Sequence, residues 1–167
     1  MDFLELAKKR YSVRKFLDKQ IEQEKFDYIF EAAKVAPTAA NRQPVYFKVL
    51  NNDEISNLNE VTKYVFNAPS WILVMYDKKE SWKNKYTGEN KGDIDAAIVI
   101  THIMLAATQM DLGTCWVGSF DSEKAKKIFK LNDNLQPVAL LPIGYPDPSV
   151  SPNPLHNQRD DIKNHIL

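Results

Sequence analysis

The sequence predicts a mixed α+β sandwich rather than a regular doubly wound sheet. Three observations carry this expectation. Segments patterned as helices and as strands follow one another irregularly, with about four strands and five helices. Residues 71–76 form a continuous run of large apolar strand formers, as expected of a strand buried on both faces. Residues from about 94 to 112 read as a helix that is apolar almost all round, which belongs in the core or at a subunit contact.

The elements follow in order. A first helix spans residues 3 to about 9, where Asp2 and Glu5 form a capping-box pattern. Residues 10–16 break helical periodicity. A second helix covers about 22–35, because Phe26, Ile29, Phe30 and Ala33 make one buried stripe and Pro37 ends it. Residues 36–44 read as a structured loop, and 46–50 as a strand. Asp53 is the expected cap of a short helix to about residue 66, with Ile55, Leu58, Thr62 and Val65 on one face. After the apolar strand, residues 77–92 are a polar excursion with a short helical piece around Trp82. The long helix has Asp93 or Asp95 near its start and Gly113 as its stop. Residues 114–120 are a strand or strand-edge loop, 122–129 a helix, and 138–143 a strand closed by Gly144-Tyr145-Pro146. The tail after residue 146 has little core-forming material.

Composition narrows the function. The 167 residues fit one domain. Lysine plus arginine balance aspartate plus glutamate at 22 each, so no net field favours nucleic acid or an anionic membrane, and any phosphate site must be local. The longest stretch without formal charge, residues 96–110, is 15 long, short of the roughly 20 that a spanning helix needs. The single cysteine excludes an internal disulfide and fits a reducing cytoplasm. The N-terminus lacks the long apolar core of a signal peptide.

No Gly-x-Gly-x-x-Gly, Walker loop or Gly-x-Ser-x-Gly occurs, and the three histidines have no metal-ligand spacing. If the chain is an enzyme, the hard chemistry then comes from a bound cofactor. Three places carry a positive signal. In an extended segment, Arg10, Ser12 and Arg14 point to one side and can clamp a monophosphate; taken alone, the stretch also reads as a solvated basic surface. In residues 36–44, the amides of Asn41 and Gln43 match the alternating donors and acceptors of a flat ring edge, and Thr38 and Ala39 leave room for its approach; taken alone, this is a turn. Around Cys115 and Trp116, Gly113 and Gly118 permit close backbone approach to a ligand, although both side chains also suit a core. For Cys115, a small buried hydrophobe is the preferred reading over a redox thiol.

Together these places resemble the nitroreductase family. Arg10–Arg14 matches its Arg-x-Ser-x-Arg element, and residues 36–44 match Ala-Pro-Ser/Thr-x-x-Asn-x-Gln-Pro. Residues 113–118 match Gly-x-Cys-Trp-x-Gly at the end of a long apolar helix, and 142–146 match Pro-x-Gly-Tyr-Pro. All four occur in family order, across residues 1 to about 148. Tyr11 and Val45 stand where relatives often carry arginine and tryptophan. The resemblance implies a three-layer sandwich with a central, mostly antiparallel sheet flanked by helices, in an intertwined homodimer with two sites built from both chains. The whole of residues 1–167 would be one such domain, with the tail from about 149 extended and packed on the partner chain.

It further implies FMN as cofactor and NAD(P)H as co-substrate, with hydride passing through flavin N5 to a small acceptor such as a nitroaromatic or quinone, in ping-pong fashion. No side chain need act as nucleophile or base. By motif position, Arg10, Tyr11, Ser12 and Arg14 would hold the phosphate or pyrimidine edge. Arg14 is also the cation expected to stabilise reduced flavin. Pro37, Thr38 and Ala39 would lie beside the isoalloxazine, with Asn41 and Gln43 near its polar edge or on the partner chain. The backbone of Cys115, Trp116, Val117 and Gly118 would approach N5. Arg159 is the candidate for a late basic residue at the phosphate. A flavin protein of this fold with another reaction, such as a dehydrogenase or reductive dehalogenase, and a non-enzymatic flavin carrier or sensor remain the competing expectations.

Overall fold

The structure is a computed structural model that describes residues 2–167. Helix α1 (Phe3–Lys9) starts at a capping box, with the Asp2 carboxylate accepting from Glu5 N–H and Glu5 reciprocating. Helix α2 (Gln23–Lys34) buries Ile29 and Ala33 of the expected stripe and half-buries Phe26 and Phe30. Strand β1 (Val45–Val49) follows the loop that was expected before it.

The next helix does not form as one piece. Asn51, not Asp53, caps α3 (Asn52–Ser56), and the chain restarts as α4 (Leu58–Val61) before turning extended at Thr62. The expected apolar face survives this break, because Leu58 and Thr62 are buried and Ile55 and Val65 half-buried. Hydrophobic burial therefore kept its spacing while the backbone changed. Phe66 and Asn67 then adopt left-handed conformations, at φ 50° and 49°, that no helix accommodates.

Strand β2 (Ser70–Asp77) is buried on both faces as expected. The excursion after it contains no helix at Trp82. Asn84 instead caps a turn by accepting from Tyr86 N–H, and Ser81 donates to Asn90 across a bridged loop. Helix α5 (Gly92–Gln109) ends earlier than expected. Its stop is Asp111, left-handed at φ 59°, and not Gly113, which belongs to strand β3 (Gly113–Thr114). Helix α6 (Ser122–Ile128) is capped by Asp121, and strand β4 (Leu135–Gly144) is longer than the sequence suggested.

The four strands pair antiparallel in the order β1-β2-β4-β3. Alternation along β2 and β4 sorts their side chains into two cores. Ile72, Val74, Ala139, Leu141 and Ile143 face α2 and α5. Trp71, Leu73, Met75 and Leu140 face the side of α4 and α6, with Val13 and Val117 among them. The result is helix, sheet and helix in three layers. Pro137 lies at a bulge in the β2–β4 ladder, and Pro142 lies just beyond the reach of the two-residue β3, so neither proline interrupts pairing within β3. Among the described residues, no helix is long and apolar enough to cross a membrane.

Candidate functional site

The segment after α1 is stitched into the sheet edge on both sides. Val13 N–H donates to Thr114 O at 2.9 Å, Leu17 N–H to Tyr145 O at 2.9 Å, and Asp147 N–H to Lys15 O at 3.1 Å. This extended course buries Val13 in the core and turns its neighbours outward, as the alternation rule requires. Arg10, Ser12 and Arg14 consequently line one cleft of about 360 Å³. The tail completes it with Asn153, His156 and Arg159. Three guanidinium groups thus converge, and none of the lining residues is acidic. Tyr11 also lines this cleft, with its ring edge-on to His156 at 6.2 Å between centroids.

Arg14 is shared with a second groove of about 200 Å³, bounded by Cys115, Trp116, Gly118, Tyr64 and Phe66. Trp116 is half-exposed here, whereas Val117 turns its side chain into the core. The Val117 backbone is committed on both sides to Leu140, at 3.0 Å each way. An N–H offered to a ligand by this stretch therefore comes from Trp116 or Gly118 and not from Val117. Cys115 is buried, and burial pushes its thiol up against the pull of nearby Arg14, Ser12 and Arg10. That environment suits a packed apolar side chain and disfavours a thiolate.

The loop of Pro37, Thr38, Ala39, Asn41 and Gln43 is elsewhere. It sits over the start of α5, where Ala39 N–H donates to buried Asp95 at 2.8 Å. The Thr38 hydroxyl accepts from Gln43 N–H, and the Gln43 amide donates to Asn41. Ala40, Asn41 and Gln43 all hold φ near +50°, at 53°, 52° and 51°, a strained course for side chains other than glycine. The arginine segment pairs with Thr114, beyond the other end of α5. Fourteen residues of helix separate Asp95 from Gln109, or about 20 Å along the axis. Neither cleft is lined by the 37–43 loop. A single chain thus presents the predicted residues as two separate clusters.

Sequence reasoning did not find His156, Asn153, Tyr64 or Phe66. The first two lie in a tail without periodicity. The others lie where a helix was expected, and the only local sign of a turn is Asn67-Ala68-Pro69. Thr62 joins this loop to the Trp116 stretch by donating to Ser119 O at 2.8 Å.

The donor set suits a ligand with an anionic phosphate at one end and a flat ring at the other. Guanidinium groups and a hydroxyl answer the phosphate, and the groove beyond Arg14 has aromatic walls and small-residue backbone. The combined size is ordinary for a cofactor site.

Comparison with known proteins agrees. The model of the nitroreductase family matches residues 7–68 and 57–145. A protein of Methanothermobacter thermautotrophicus, provisionally named an NADH dehydrogenase/NAD(P)H nitroreductase, is 31% identical over 87% of this chain and 78% of its own length. A crystal structure of a nitroreductase family protein from Clostridium difficile 630 is 37% identical, with a TM-score of 0.91 over 100% of this chain and 98% of that one. An FMN-dependent nitroreductase from Clostridium difficile R20291 is 27% identical, with a TM-score of 0.79 and 96% of both chains covered. By family model, by sequence and by fold alike, this chain belongs to the nitroreductase family.

Proposed function

We propose that this chain is an FMN-dependent oxidoreductase, active as a homodimer, that draws reducing equivalents from NAD(P)H and passes them to a small acceptor such as a nitroaromatic or quinone. Bound FMN would supply hydride acceptance and release at N5. The observation that carries the reading is the convergence of Arg10, Ser12, Arg14 and Arg159 on one acid-free cleft, opening through Arg14 onto the groove beside Trp116 and Gly118.

The chain's residues have distinct tasks in this reading. Arg10, Ser12 and Arg159 bind the phosphate. Arg14, at the junction, opposes negative charge on the ring. Trp116 and Gly118 offer backbone N–H groups toward N5. The loop from Pro37 to Gln43 covers a ring held by the partner, because in its own chain it lies about 20 Å along α5 from the arginine segment. Tyr64, Phe66 and Trp116 exclude water and set the width available to the acceptor.

The test uses purified protein supplied with FMN. Bound flavin should show its visible absorbance and lose it on anaerobic addition of NADH or NADPH. A nitroaromatic or quinone should restore it. Flavin that binds and is not bleached would make the protein a carrier or sensor. Protein that stays colourless after FMN is added would sink the reading.

A further inference from the structure

We propose that Asp95 is the positioning residue of the second cluster: its buried carboxyl sets the backbone of the Pro37–Gln43 loop before a flavin arrives, so that the ring meets Asn41 and Gln43 already in place. This rests on the flavin reading of the site. The loop has little else to hold it. None of residues 37–43 is buried, although Ala36 and Pro44 on either side are. Among the described residues, two hydrogen bonds tie the loop to other elements: the exposed Arg42 guanidinium donates to Glu80 O at 3.2 Å, and Ala39 N–H donates to Asp95 Oδ1 at 2.8 Å. The remaining bonds are internal. Asn41 N–H donates to Thr38 O at 2.9 Å and Arg42 N–H to Ala39 O at 3.2 Å, beside the contacts that link Gln43 to Thr38 and Asn41.

Both partners of the Ala39 bond oppose folding. Ala40, Asn41 and Gln43 hold φ of 53°, 52° and 51°, where a Cβ crowds the backbone. Asp95 is 2% exposed, and its Oδ2 is buried with no hydrogen-bond partner among the described residues. A buried, half-paired carboxyl is unfavourable, and the first turn of α5 is where the helix dipole best tolerates one. Backbone strain in the loop and an unpaired oxygen in the helix thus meet at one 2.8 Å contact. Neither serves stability. Both serve a preshaped loop, because a ligand then need not supply the ordering. The same contact decides which groups face the ligand. Ala39 N–H is committed to Asp95, and the Gln43 amide donates to Asn41 Oδ1 at 3.2 Å, which leaves an Asn41 N–H and the Gln43 carbonyl oxygen unbonded. A donor beside an acceptor matches neighbouring groups on the pyrimidine edge of a flavin.

The experiment compares wild type, Asp95→Ala and Asp95→Asn, each prepared free of flavin. Hydrogen exchange is followed peptide by peptide, and FMN is titrated by quenching of its fluorescence. Asp95→Ala should speed exchange in residues 36–44 while β2 stays as protected as in wild type. It should also weaken FMN binding about tenfold, the loss of one hydrogen bond. Asp95→Asn keeps an oxygen for Ala39 N–H. It should restore slow exchange in the loop and FMN affinity to within about threefold of wild type. Wild-type loop exchange in Asp95→Ala overturns the proposal, as does a faster loop with unchanged FMN affinity. An Asp95→Ala chain that exchanges faster throughout, or does not fold, makes the carboxyl a core group and overturns it too. So does Asp95→Asn protein that folds and yet binds FMN about tenfold more weakly than wild type. Wild-type protein that binds no FMN would overturn the flavin reading itself, a different result from any difference among the variants.

Discussion

Arg14 is the side chain at which the two clefts meet. In the proposed function it would meet both the phosphate end and the ring end of the ligand. Arg14→Ala should weaken FMN binding by about 10- to 100-fold, the loss of one charge-assisted contact. It should also make any flavin that binds harder to reduce. Flavin titration and a reduction-potential measurement check both, and a variant with wild-type flavin content and potential would remove Arg14 from the site. Cys115 gives the opposite expectation. With its thiol buried and pushed up by that burial, Cys115→Ala should keep flavin and turnover while losing roughly 1 kcal/mol of stability. Turnover that vanished with flavin fully bound would instead mark a redox thiol. At this scale the sequence was informative where a short-range rule applies. Alternation alone puts Arg10, Ser12 and Arg14 on one side. His156 obeys no such rule, and only the return of the tail to the end of α1 gives it a partner.

Among the elements, β3 controls how closely the arginine segment approaches the sheet. A Cβ on Gly113 would lie 2.8 Å from Val13 Cβ, a contact that real side chains do not make. Gly113→Ala should push the segment outward, cost about 1–3 kcal/mol, and lower FMN affinity together with the thermal midpoint. An unchanged midpoint would mean that β3 yields without strain. The root of the tail is clasped as well. Asp147 accepts from Ser149 N–H at 2.8 Å and pairs with Lys15 at 3.0 Å. Its carboxyl falls from 3.8 to about 2, first through the Ser149 side chain and backbone and then through Lys15. A depressed acid stabilises above its ordinary value and loses that contribution as pH falls through the folded value. The contribution of Asp147 to tail docking should therefore be constant above about pH 4 and be lost between there and about pH 2. Peptide hydrogen exchange in the tail would show this step in wild type and not in Asp147→Asn. The helix expected over residues 53–66 shows the limit of periodicity. Its apolar spacing was right, yet spacing cannot report that the chain breaks at Asn57 and that Thr62 leaves helical conformation to meet Ser119.

For the whole molecule, the separation of the two residue clusters makes a prediction about mixing. If each site takes residues 10–14 from one chain and residues 37–43 from the other, a dimer of two different single variants has one site with both defects and one with none. Arg14→Ala protein mixed and refolded with Asn41→Ala protein should regain about a quarter of wild-type flavin sites, the share expected from random pairing in a two-fold dimer. Sites confined to one chain would give no recovery.

The amino-acid sequence determined what depends on near neighbours. It specified the capped first helix, the amphipathic second, the doubly buried strand, the apolar helix, and the four ordered motifs that mark the family. These are legible because capping, side-chain periodicity and burial act over a few residues. Tertiary structure decided the rest. It placed Arg159 with Arg10 and Arg14, brought Tyr64 and Phe66 to Trp116, and set the 37–43 loop at the far end of α5. Those juxtapositions join residues tens of positions apart, and their distances are fixed by how two cores pack against one four-stranded sheet.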